Sequence, residues 1–379
     1  MIVHGLLLTD PARQPDEGWL AIDGGRIVEM GHGAPREKAQ LGSARSIITP
    51  GFIDAHIHLP QINAIGCDGM ELMEWLDRVI YPAEMRWKDE AVAIQESATA
   101  YQRMLRAGTL GFAAFLTSHF HAYVAVVRVA HQLPLRAIVG QVMKDRHAPP
   151  ELLGHDLNRL ASSERGRVIS SVNPRYAVAC SEDILRLAAS RARTLEGGAI
   201  IHTHLAESAL EVRRVRELFP DDEHYAGVYD RHGLLTPRTL LAHGIHLSRD
   251  EWQLIATRQA VIVHCPTANT FLRSGVFDLN AAREHGVRLA LGSDIAAGPD
   301  IAMPRVARAM IEASKMRAMT GARHVHVPTP DEAWSMITRG NADGLGGNDA
   351  GRLEVGASGD VLVLEPAFDV DEHLIGRLL

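Results

Sequence analysis

Apolar and polar positions along this chain follow three successive rhythms. In residues 1–50 the apolar positions come in short runs broken by turn formers. WLAID and RIVEMG flank Asp23-Gly24-Gly25, a hairpin signal, because a two-residue turn between strands needs residues that tolerate positive φ. From about residue 50 to 319, apolar runs short enough to be strands alternate with segments of helical spacing. After residue 350 the β texture returns in GRLEVGASGDVLVLEPAFDV.

The middle stretch resolves into strand-then-helix units. The predicted strands are SIITPGFIDAHIH, TLGFAAFL, LRAIVGQVM, RVISSVNP, GAIIHTHL, TLLAHG, AVIVHCP and VRLALGSD. The helix DEAVAIQESATAYQRMLRAG should end at Gly108, and another is expected near residues 123–131. SEDILRLAASRARTLEGG should start at Ser181 with Asp183 and stop at Gly197-Gly198. Further helices are expected over AESALEVRRVRELF, SRDEWQLIATR, residues 276–285 and MPRVARAMIEASKMRAM. Strands that are apolar throughout, rather than alternating, imply a parallel sheet covered by helices on both faces. Eight such units over roughly 300 residues predict an α/β fold, a (β/α)8 TIM-type barrel over residues 50–349. The two β-rich ends, 1–49 and 350–379, are expected to join in a small β-sandwich domain. An open doubly wound sheet is the alternative, weakened by the lack of G-x-G-x-x-G after an early strand.

Composition narrows the class. The chain has 379 residues, 46% hydrophobic and 22% charged, which fits a folded globular enzyme rather than a disordered chain. A net charge of −7 leaves no basic excess for nucleic-acid phosphates. No apolar run reaches the ~18 residues of a membrane helix. The N-terminus lacks a basic signal-peptide region, and Cys67, Cys180 and Cys265 lie far apart without C-x-x-C spacing. A cytoplasmic enzyme that binds neither nucleic acid nor membrane is the expectation.

In such a barrel the catalytic side chains stand at the C-terminal ends of strands. There the first strand carries His56 and His58, two apart and so on one face. The fifth ends in His202-Thr203-His204 with Glu207 beyond, the sixth in His243, and the eighth in Asp294. Imidazoles with a carboxylate suit zinc, with iron the second choice. Each residue has a plainer reading: Asp294 as a helix N-cap, Glu207 as an acid in a helix first turn.

PGFIDAHIH, HLAE, AHG, HCPTANTFLRSG and LGSD resemble the amidohydrolase superfamily along almost the whole chain. Within it, His56 to Gln61, the E-W-L at 74–76, the P-A-E at 82–84, Pro174-Arg175-Tyr176 and Cys180-Ser181-Glu182 look like guanine deaminases. The resemblance implies metal ligands His56, His58, His204, His243 and Asp294 around one Zn2+ per chain, Fe2+ being the alternative. One metal is expected because no lysine closes the fourth strand. It further implies catalytic roles for Glu207, as proton donor, and Asp294, as base for a metal-activated water. Gln61, Arg175, Tyr176 and Trp75 would bind a small-molecule purine base, with Glu84, His119 and His264 supporting them. Arg175 adds an argument of its own: a guanidinium only donates, so it suits the guanine carbonyl and opposes the adenine amino group.

The implied reaction is hydrolytic deamination of guanine to xanthine and ammonia, in purine catabolism or salvage, by a homodimer. A sister aminohydrolase acting on 8-oxoguanine, a pterin, a cytosine-like ring or a triazine is the alternative. The H-x-E and P-C-x-x-C pattern of cytidine-type zinc deaminases is absent from the sequence. An inactive scaffold is disfavoured because every expected ligand is present. Three departures bear on substrate choice or extent: the segment IAAGPDIAM after Asp294, Arg273 in place of a small residue, and an N-terminus shorter than usual, which predicts a trimmed β domain.

Overall fold

The computed structural model describes residues 1–154, 166–194, 199–322 and 324–379. Four strands open the chain: β1 (Ile2–Leu7), β2 (Asp16–Asp23), β3 (Arg26–His32) and β4 (Leu41–Pro50). β2 and β3 form the expected hairpin, and its two turn glycines take φ of +55° and +76°, the left-handed values that a tight turn of this twist demands. Then come β5 (Phe52–His58), β6 (Thr109–Phe115), β7 (Arg136–Gly140), β8 (Val142–Met143), β9 (Val168–Pro174) and β10 (Ile200–Leu205). β11 (Thr239–His243), β12 (Val261–His264), β13 (Arg288–Leu291) and β14 (Val361–Leu364) complete the set.

Eight strands pair in parallel in the order β5-β6-β7-β9-β10-β11-β12-β13, making a nearly closed (β/α)8 barrel. The run LRAIVGQVM is not one strand. β7 stops at Gly140, Gln141 turns aside to donate to the Ser118 carbonyl at 2.7 Å, and β8 pairs only with β9. The seam between β13 and β5 is stitched by a side chain. Asn341 donates from Nδ2 to the carbonyls of Ile53 (2.5 Å) and Leu291 (2.8 Å), and accepts from the Leu291 N–H at 2.7 Å. Asp54 adds a second stitch, accepting from the Ser293 backbone at 2.9 Å and its hydroxyl at 2.5 Å.

Both chain ends build one further sheet, in the order β14-β4-β1-β2-β3, with β14 antiparallel to β4. Where the sequence predicts a sandwich, the described residues form one five-stranded layer. Its apolar face (Val3, Leu20, Ile22, Ile27, Ile48) is covered by Leu353 and Ala357 of the segment leading into β14, so a few side chains stand in for a second layer.

The helices follow from local signals. Glu90–Arg106 is capped by the Asp89 carboxylate, which accepts from the N–H groups of Ala91 and Val92. It buries Ala93, Ser97, Ala100, Tyr101 and Met104 on one stripe, and Gly108 beyond its end has φ +81° as expected. Ser181 caps Glu182–Thr194 through the Ile184 N–H; the expected stop at Gly197-Gly198 lies outside the described residues. The helix expected over 276–285 is shorter, Leu279–Glu284, because the Asp278 side chain caps it at the Ala281 N–H. A helical run over residues 330–344 is not anticipated by the periodic pattern. Its signal was a capping box, Thr329 with Glu332, and Pro330 in the first turn. This run delivers Asn341 to the barrel seam.

Candidate functional site

At the C-terminal rim of the barrel, His56 and His58 leave β5 on one face, His204 ends β10, and Asp294 follows β13. All four are buried, and one donor atom of each lies within 4.8 Å of the others. His58 Nε2 is 3.1 Å from His204 Nε2, and Asp294 Oδ1 is 3.2 Å from His56 Nε2 and 3.4 Å from His58 Nε2. Four ligands at zinc–nitrogen lengths of about 2.0–2.1 Å would stand about 3.3 Å apart at tetrahedral corners. These three separations have the spacing of such a shell, within a set whose widest spacing is 4.8 Å.

Two of the three rings are aimed by their other nitrogen. His204 Nδ1 donates to the Arg175 carbonyl at 2.6 Å, which leaves Nε2 as the lone-pair atom facing inward. His56 Nδ1 meets His202 Nε2 at 2.7 Å, so His202 lies behind the cluster rather than in it. Beneath them the Phe115 ring sits 4.7–5.6 Å from the rings of His56, His58, His202 and His204, an apolar floor at the end of β6. Gly292 lets β13 approach β5: a Cβ there would meet His56 Cβ at 2.6 Å. Asp294 itself takes φ +50° and His243 +74°, values costly for residues with side chains and concentrated at functional sites.

Burial disfavours the charged imidazole, pushing His56 down to about 4 and lowering His58 and His204 as well. Burial would raise Asp294, but the facing His56 and His58 rings overcome it and hold the carboxyl well below its ordinary range. Three neutral nitrogens and one carboxylate are what a divalent cation binds. The Nε2 atoms of His56 and His243 are also buried without a hydrogen-bond partner among the described residues. The residues fit a metal ion.

His243, the fifth expected ligand, stands outside the four-donor set. Its Nε2 lies 3.6 Å from Glu207 Oε2 and 3.7 Å from Asp294 Oδ2, while Asn269 Oδ1 fixes its Nδ1 at 3.0 Å. Against the opposing effect of burial, the Glu207 and Asp294 carboxylates raise its pKa. Burial raises Glu207 to about 7. The carboxylate of Glu211 accepts from the Glu207 N–H at 2.9 Å and from the Tyr225 hydroxyl at 2.6 Å, anchoring the backbone that carries the acid.

Around this corner opens a cleft with about 420 Å³ of empty space, part of it open to solvent. His58, His204, Glu207, His243 and Asp294 line it together with Gln61, Arg175, Tyr176 and Trp75; Leu72, Leu76, Leu272 and Ala297 complete its wall. Trp75 is buried and edge-on to Phe271 at 6.5 Å, so it serves core and cavity at once. Behind the wall, Glu84 gathers the polar residues. Its carboxylate accepts from Gln61 Nε2 (3.0 Å), Arg175 Nη1 (2.6 Å) and Lys144 Nζ (3.0 Å). Arg175 and Lys144 outweigh burial and hold Glu84 below its usual range.

Two expected support residues do not join the site. His119 precedes the helix Phe120–His131 and neither lines the cavity nor belongs to the donor set, though Lys144 and Glu84 lie close enough to act on its ring. His264 stacks on Phe277 at 4.5 Å, its pKa pushed down to about 3 by burial, and packs rather than lines. Arg273 points to the rim, 3.7 Å from Glu71, both side chains exposed. Sequence reasoning missed Lys144, Asn269 and Phe115. Lys144 offered one signal, a lone lysine immediately after an apolar strand.

An amidohydrolase-family profile matches residues 47–376. The guanine deaminase of Escherichia coli K12 is 32% identical over 366 residues, covering 93% of this chain and 82% of the relative. That of Dictyostelium discoideum is 29% identical over 347 residues, covering 88% and 76%. Among solved structures, the guanine deaminase from C. acetobutylicum with guanine bound in its active site superposes with a TM-score of 0.89. It is 25% identical, with 96% of this chain and 90% of that chain covered.

Proposed function

The chain belongs to the amidohydrolase family, and from that premise we propose that it is a zinc-dependent aminohydrolase that converts guanine and water to xanthine and ammonia. One observation carries the reading. One pocket is walled by three of the four donors, His58, His204 and Asp294, by Glu207 and His243, and by Gln61 and Arg175, with His56 completing the donor set beside it.

His56, His58, His204 and Asp294 would hold a zinc ion, which would supply Lewis acidity of the kind that lowers the pKa of bound water from 15.7 to about 7. The chain's own groups do the rest. Water oxygen replaces the amino nitrogen at C2; in net terms one water proton ends on the ring nitrogen beside C2 and the other leaves with the amino group as ammonia. Asp294, ionised, and His243, poised between Asp294 and Glu207, hold and receive the proton of the attacking water. Glu207, raised to about 7 by burial, keeps a substantial protonated share at neutral pH, where an ordinary glutamate is almost wholly ionised. It delivers that proton to the ring nitrogen beside C2, takes up a proton from the attacking water in its place, and passes this second proton to the departing amine, a role worth roughly 10²–10⁴-fold. Arg175 presents donors to the 6-carbonyl and would oppose the amino group of adenine. A site built on such a bond discriminates by up to about 10⁴–10⁵. Gln61 gives one amide hydrogen to Glu84 and accepts from the Ala296 N–H at 3.3 Å, keeping one donor and one lone pair for the ring edge. Trp75 and Tyr176 wall the flat base.

The same reading places the protein in purine catabolism or salvage, as a cytoplasmic homodimer acting on a small molecule. Cys67, Cys180 and Cys265 are all free, as a reducing compartment allows. Among the described residues no helix is long and apolar enough to cross a membrane. A panel of guanine, 8-oxoguanine, a pterin, cytosine and an aminotriazine, followed by ammonia release, tests the substrate. Guanine is expected to give the highest kcat/KM, by at least ~100-fold over rings lacking the lactam carbonyl. A tenfold better rival would replace it.

A further inference from the structure

Lys144 is the one lysine among the described residues whose side chain is fully buried, 1% exposed, and the reaction as derived above makes no use of it. It leaves the end of β8 and reaches Glu84 Oε2 at 3.0 Å, while Arg175 takes Glu84 Oε1 at 2.6 Å. Both cations also lie over the Tyr81 ring, at 5.3 Å for Lys144 Nζ and 5.9 Å for Arg175 Cζ. One buried carboxylate thus serves two buried cations, and this group carries a net charge of +1. An uncompensated charge in a low-dielectric wall is costly unless something facing it supplies negative charge or acceptor atoms. Of the three, Arg175 alone lines the cavity.

We infer that Lys144 is a positioning residue for substrate specificity: by sharing Glu84 it leaves the Arg175 guanidinium incompletely neutralised, so the cavity selects a heterocycle that turns a carbonyl oxygen toward it. Without Lys144, Glu84 and Arg175 would form a closed neutral pair. The inference rests on the guanine reading above and deepens it. Tyr81 keeps the cluster in place, its hydroxyl donating to the His147 carbonyl at 2.8 Å.

The test compares wild type with Lys144→Met, which keeps the stem and removes charge and donor, and Lys144→Gln, which keeps a donor without the charge. Guanine kcat and KM are measured, with the inhibition constant of 2-aminopurine, which lacks the 6-oxygen, and zinc content. Both variants are expected to raise KM for guanine about tenfold with kcat held within about threefold, the signature of lost ground-state binding. The 2-aminopurine constant should stay within about twofold, with zinc content unchanged. Unaltered guanine KM in both folded variants overturns the inference, as does an equal weakening of both ligands. A normal KM in Lys144→Gln alone would assign the effect to the hydrogen bond and likewise overturn the charge argument. Wild type that leaves guanine unreacted would instead refute the substrate reading itself.

Discussion

Three imidazoles of the site are fixed by what the second nitrogen meets: a carbonyl for His204, a ring nitrogen for His56, an amide oxygen for His243. Glu207 differs from these because its carboxyl is left to the cavity while its backbone is held by Glu211. Glu207→Gln should therefore keep its metal and lose roughly 10²–10⁴-fold in guanine turnover. Turnover within tenfold of wild type, measured as ammonia release by a fully metal-loaded variant, would remove Glu207 from proton transfer. The four inward donors were legible because strand alternation places His56 and His58 on one face and because strand ends carry chemistry in a barrel. Their supports were not. Asn269 sits 26 positions from the histidine it orients, and Lys144 lies 60 from its carboxylate. Such pairs are made by the closing of the barrel, and no local pattern encodes them. His264 misled for the opposite reason: it sits at a strand end like a ligand, yet Phe277 captures its ring.

At the level of elements, the apolar runs identified all eight barrel strands, and the Asp23-Gly24-Gly25 turn identified the terminal hairpin. The hidden element was the helical run over 330–344, whose start is marked only by its capping box and by Pro330 in the first turn. Its contribution is disproportionate, since Asn341 supplies three hydrogen bonds across the seam that β13 and β5 do not close by a ladder. Asn341→Ala would leave buried backbone groups of Ile53 and Leu291 unpaired. The expected loss is about 3 kcal/mol, read from denaturant midpoints at unchanged slope. A shift below about 0.5 kcal/mol would mean that the seam closes without it. Since Asp294 and His56 lie on either side of this seam, the same variant should weaken metal binding.

Across the whole molecule, four strand-derived positions from opposite parts of a 379-residue chain converge on one buried point, and the substrate cavity opens from there. The terminal sheet stands apart from that chemistry; none of its residues lines the cavity. The account therefore reduces to a stoichiometry. Purified protein assayed for bound metal and for ammonia release from guanine, before and after exhaustive chelation, tests it most directly. One divalent ion per chain is predicted, with activity lost on its removal and restored by zinc. Metal-free protein that deaminates guanine at the original rate would contradict the account.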